Sequence, residues 1–96
     1  MKGIFLVFNA AIEEEVMQAL EKLGIECYTK FPDLHGKGRH SDPHLDTYIW
    51  PGTNHGLFMA LEEEKKEELL AEIEALKLQY AKEGIKVFVF PLEAMI

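Results

Sequence analysis

An internal repeat limits this chain's fold more than any other feature. Gly3-Ile4-Phe5-Leu6-Val7 corresponds to Gly56-Leu57-Phe58-Met59-Ala60, and Lys22-Leu23-Gly24-Ile25 corresponds to Lys82-Glu83-Gly84-Ile85. Each half opens on an apolar run and closes on a glycine followed by isoleucine. Ile4 to Phe8 is apolar throughout and rich in β-branched and aromatic residues. It predicts a strand buried on both faces, or on one face plus a subunit interface. Asn9 offers an N-cap, and Glu13, Glu14 and Glu15 suit the positive end of a helix dipole. Ile12, Val16, Ala19, Leu20 and Leu23 recur at helical spacing, so a helix is predicted over 10–23 with Gly24 as its stop. Further strands are predicted over 25–31, 55–61 and 85–90. A second helix is predicted over 62–83, with Leu69, Ile73, Leu76 and Tyr80 on one face and Gly84 at its end.

The resulting order is β-α-β-β-α-β. Two βαβ halves related in this way call for an α+β ferredoxin-like sandwich, a four-stranded antiparallel sheet with two helices on one face. A length of 96 residues fits one domain spanning 1–96. The first and last strands are apolar at nearly every position, whereas a half-exposed antiparallel sheet alternates. The open face therefore needs a cover. Another copy of the chain is the expected one, and the rival is the 33–54 segment folded back.

The charge balance removes one class of partner. Seventeen acidic against ten basic residues give −7, which excludes a generic binder of nucleic-acid backbone. Cys27 is the single cysteine, so no intrachain disulfide forms. The run Ile4–Phe8 is too short to cross a membrane, and with Lys2 before it and acids soon after it makes a poor signal peptide. A cytoplasmic protein that does not itself span a membrane is expected.

The unusual residues concentrate between 33 and 55. All four histidines, His35, His40, His44 and His55, lie there, interleaved with Asp33, Asp42 and Asp46. Imidazoles and carboxylates suit a divalent transition metal such as zinc, copper or nickel. His35, His40 and His44 are the candidate ligands, although their spacing matches no zinc-finger or metalloprotease motif. Equally, they can be histidines of a polar loop that only hydrogen-bond. Gly36-Lys37-Gly38-Arg39 offers a backbone nest for an anion beside two cations, but no helix follows it, so it is neither a P-loop nor a dinucleotide fingerprint. Trp50 and Pro51 mark a turn at the far end, with Trp50 as a packing or ligand-binding residue. Glu62 to Glu68, with Lys65 and Lys66 inside, is a solvated helix face. Ser41 is the only serine and no glycine elbow surrounds it, while Cys27 is expected to pack within a strand. No catalytic constellation emerges, and an enzyme is not expected.

The element order, the long segment between strands 2 and 3, its Gly36-Lys37-Gly38-Arg39 entry and the closing Gly84-Ile85-Lys86-Val87-Phe88-Val89-Phe90-Pro91 resemble the P-II superfamily of trimeric signalling proteins. The fold is also similar to that of CutA-type trimers. The resemblance implies a homotrimer. Its inter-subunit cleft and 33–54 loop would bind a small ligand and report to a partner protein such as a transporter or enzyme. Here Tyr80-Ala81-Lys82-Glu83-Gly84-Ile85 runs straight from helix to strand, where the family carries a phosphate-gripping loop. Of the family's nucleotide-contacting positions, only Gly36 and Gly38 carry over. The leading expectation is therefore a sensor of a small ligand or metal ion, with Gly36, Lys37, Gly38, Arg39 and Trp50 on the ligand and His35, His40 and His44 on the metal. The alternatives are a passive metal-binding protein, or a nucleotide-binding regulator in which Lys37, Arg39 and Lys86 meet phosphate.

Overall fold

The computed structural model describes residues 1–36 and 53–96. Four strands form one antiparallel sheet: β1 (Lys2–Asn9), β2 (Thr29–Leu34), β3 (Asn54–Leu61) and β4 (Ile85–Pro91). Their order across the sheet is β2-β3-β1-β4, so the repeat's two apolar runs lie side by side as the central pair. Helices α1 (Glu13–Lys22) and α2 (Glu63–Gln79) contribute to a common core with the sheet, which is the ferredoxin-like βαββαβ arrangement.

Strand periodicity divides the apolar residues between two faces. Ile4, Leu6 and Phe8 of β1 and Leu57, Met59 and Leu61 of β3 are buried with Val16 and Leu20 of α1 and Leu69 and Ile73 of α2. The alternate residues face the other way. Phe5, Phe31, Phe58, Phe88 and Phe90 therefore place five of the chain's six phenylalanines on the face opposite that core. Phe5 meets Phe31 edge-on at 6.0 Å between ring centroids, and Phe58 stacks on Phe90 at 6.0 Å. Phe31 and Phe88 remain 43% and 49% exposed.

The termini of α1 follow from the sequence chemistry. Asn9 Oδ1 accepts from the Ala11 N–H at 2.8 Å, but what it caps is a short 3₁₀ turn, Ala10–Ile12, that precedes α1. At the other end Gly24 takes φ +76°. Its N–H donates to Glu21 and that of Ile25 to Leu20, the paired bonds of a Schellman stop, with Ile25 and Leu20 both buried beneath them.

Other boundaries differ from the sequence reading. The second strand begins at Thr29 because Ile25 is committed to the helix stop, and residues 25–28 form no strand. Cys27 lies in that stretch and is exposed, not packed within a strand. The second helix ends at Gln79 and not at 83. Gly84 accepts instead, through its carbonyl, from the Asn9 N–H at 2.9 Å, so it joins β4 to the end of β1 and caps no helix. No helix among the described residues is long and apolar enough to cross a membrane.

Candidate functional site

The described residues that flank the 37–52 segment are held at the end of β1 on one side and at the start of β3 on the other. The Ala10 N–H donates to the Thr53 carbonyl at 2.8 Å, just before β3, and Leu34 pairs with Asn54 across the β2–β3 ladder. The Asn9–Gly84 bond brings the start of β4 to the same corner. A cavity of about 500 Å³ opens there. Phe5 and Val7 of β1 and Phe88 of β4 make its apolar wall, in register as Phe5 opposite Phe88 and Val7 opposite Lys86. Leu34, His35 and Gly36 enter from the end of β2, and Asn54 from the start of β3.

Lys86 supplies the cavity's cation. Its register opposite Val7 places it on the open sheet face, it is exposed, and among the described residues no ion pair or hydrogen bond engages its ammonium. The site can therefore receive a flat, largely apolar group carrying an anion, with the rings as a wall and the ammonium as the counter-charge.

Of the candidates named from the sequence, His35 and Gly36 line this cavity. Lys37, Gly38, Arg39, His40, His44, Trp50 and Pro51 lie outside the described residues. Among the described residues, no three His, Cys, Asp or Glu side chains come together as a metal site. The fourth histidine is held elsewhere. The Asp33 N–H donates to His55 Nδ1 at 3.3 Å, His55 Nε2 lies 3.4 Å from Glu13 Oε1, and Lys30 Nζ donates to the other Glu13 oxygen at 2.7 Å.

Phe5, Phe88 and Asn54 were not singled out as site residues from the sequence. The signal available was the strand parity, which turns Phe5 and Phe88 away from the core side taken by their neighbours Ile4 and Val87. Phe5 and Phe88 could have been read as a lining rather than as interface alone.

The family model described as nitrogen regulatory protein P-II matches residues 1–96. No curated protein matches the sequence. Among solved structures, CPII from Thiomonas intermedia K12 bound to ADP and bicarbonate is similar at 24% identity and TM-score 0.70, over 93% of this chain and 82% of that one. The same protein with ADP, AMP and bicarbonate gives TM-score 0.71 at 24% identity, with the same 93% and 82% coverage. A PII-like signaling protein from Thermus thermophilus gives TM-score 0.58 at 22% identity, over 93% of this chain and 83% of that one.

Proposed function

Because this chain belongs to the nitrogen regulatory protein P-II family, we propose that it is a small-ligand regulator whose cavity takes an adenine nucleotide. The carrying observation is one cation, Lys86, set on an otherwise apolar wall of Phe5, Val7 and Phe88, beside His35 and Gly36 at the end of β2. The base lies against that wall, and a phosphate meets the Lys86 ammonium. Lys37 and Arg39 follow Gly36 closely in sequence and are the next cations for the phosphates. The nucleotides bound by CPII of Thiomonas intermedia support the same ligand class. This reading takes precedence over the metal sensor expected from the histidines, since that relative carries nucleotides.

The protein works by binding and not by turnover. The open phenylalanine face packs against two further copies in a homotrimer, which brings each cavity to a subunit boundary. Nucleotide occupancy biases the 33–54 loop, and the loop carries that state to a partner protein in the cytoplasm.

Calorimetric titration with ADP, AMP and zinc tests the reading. ADP or AMP binds, and Lys86→Met weakens it roughly tenfold or more, the scale of a charge-assisted hydrogen bond, without lowering Tm. Zinc binding without nucleotide binding, abolished by His40→Ala, overturns it and restores the metal sensor.

A further inference from the structure

The β2–β3 ladder breaks at one point, and His55 repairs it. Phe31 pairs with Gly56 and Leu34 with Asn54, so Pro32 and Asp33 together stand opposite the single residue His55. This is a bulge on an edge strand, where a proline without an N–H is tolerated. Asp33 takes φ +57°, a left-handed conformation unusual for a side-chain-bearing residue. Its N–H lies at the bulge and finds its partner in His55 Nδ1 at 3.3 Å.

Both ring nitrogens of His55 then have defined roles. Nδ1 accepts from a backbone donor and so carries no proton. Nε2, 3.4 Å from Glu13 Oε1, carries the proton that a neutral imidazole must hold. The ring is 12% exposed and meets Phe8 edge-on at 6.1 Å between centroids. Among the described residues, the charged groups around it come from two elements. From α1 comes the Glu13 carboxylate, which is also bonded to Lys30 of β2 at 2.7 Å, and from β2 comes Asp33 itself. β1 presents the Phe8 ring.

We propose that His55 is a proton-operated latch on the end of β2, holding the Asp33 bulge when neutral and releasing it when protonated. A proton added at Nδ1 turns the acceptor into a donor that faces another donor. The imidazolium keeps its contact with Glu13, now as an ion pair, while the Asp33 amide loses its partner. The released residue directly precedes Leu34, His35 and Gly36, which form one side of the cavity, and His55 itself adjoins Asn54 on the other. Acidification therefore changes the shape of the cavity through the backbone, with no titrating group inside the cavity required. The latch is a property of the ligand-free chain and stands or falls apart from the nucleotide reading.

An NMR titration of ligand-free protein from pH 8 to pH 5, the range over which imidazoles change charge, tests it. The Asp33 amide resonance moves with the same midpoint as the His55 ring proton. Its exchange protection, corrected for the intrinsic effect of pH, falls roughly fivefold to tenfold, the scale of one hydrogen bond. In His55→Asn, whose side-chain oxygen keeps an uncharged acceptor near the Nδ1 position, the Asp33 amide stays flat. An Asp33 amide that does not respond while His55 titrates overturns the latch, and this needs the wild-type protein alone. An identical response in His55→Asn also overturns it.

Discussion

Gly56 sits between Val7 on β1 and Phe31 on β2, where a side chain would enter the open face. A Cβ there would stand 2.7 Å from Leu34 Cδ1 and 3.1 Å from the Phe5 ring. Gly3, its counterpart in the repeat, lies under Phe90, whose ring an added Cβ would strike directly. The two glycines thus make room for rings on the same face, which explains why the repeat retains them. Gly56→Ala is expected to cost about 1 kcal/mol, since the end of Leu34 can move aside, and Gly3→Ala about 2–3 kcal/mol, since a stacked ring cannot. Urea unfolding of both variants checks the order. Equal costs would mean that Phe90 swings away freely.

The two helices show which element boundaries a sequence exposes. The stop of α1 was legible, because Gly24 needs its left-handed φ and Ile25 follows with a buried side chain. Gly24→Ala is expected to lower stability by about 1 kcal/mol, measured as a lower Tm with an unchanged fold. The same Gly-Ile pair at 84–85 misled the reading of α2. The Gly84 carbonyl accepts from the Asn9 N–H, a tertiary contact that leaves no local mark, and neither its φ nor its surroundings call for a glycine. The start of β2 was misplaced because Ile25 reads as a strand residue until its hydrogen bond to Leu20 is known. The charged turns of α2 were legible from spacing, but not that Lys66 is buried and not part of a solvated face. Lys66 Nζ reaches Glu67 at 2.6 Å and Glu63 at 2.9 Å, which raises the lysine pKa and, through the hydrogen bond from Lys66, lowers that of Glu63. A lowered carboxylate pKa contributes stability that is present above the unfolded carboxylate value and lost as pH falls through the folded one. A raised lysine pKa contributes stability that is present below the unfolded lysine value and lost as pH rises through the folded one. The stability difference between wild type and Lys66→Met is therefore greatest near neutrality. It shrinks both below about pH 4 and above about pH 10, as chemical denaturation across pH will show.

At the scale of the whole molecule, the sheet has one face buried under helices and one face of phenylalanines. That apolar open face was readable from the continuous apolar runs of β1 and β4, which break the alternation a solvated face requires. The cavity was not readable, because it exists only where the ends of β1, β2, β3 and β4 converge. His35 and Gly36 reach it, while the histidine concentration pointed to metal chemistry. Packing of the phenylalanine face between copies predicts that Phe31→Ser with Phe88→Ser, at positions 43% and 49% exposed in one chain, lowers the mass measured by light scattering from a trimer toward a monomer. A wild-type monomer would contradict the shared face. The central claim, a nucleotide in the cavity where the ends of the four strands converge, is tested most directly by mapping amide shifts as ADP is added to the wild-type protein. The account predicts that the largest shifts fall on Leu34 to Gly36, Asn54 and Gly84 to Phe88, and that they are reduced in Lys86→Met. Saturating shifts confined to the helical face, or none at millimolar ADP, would contradict it.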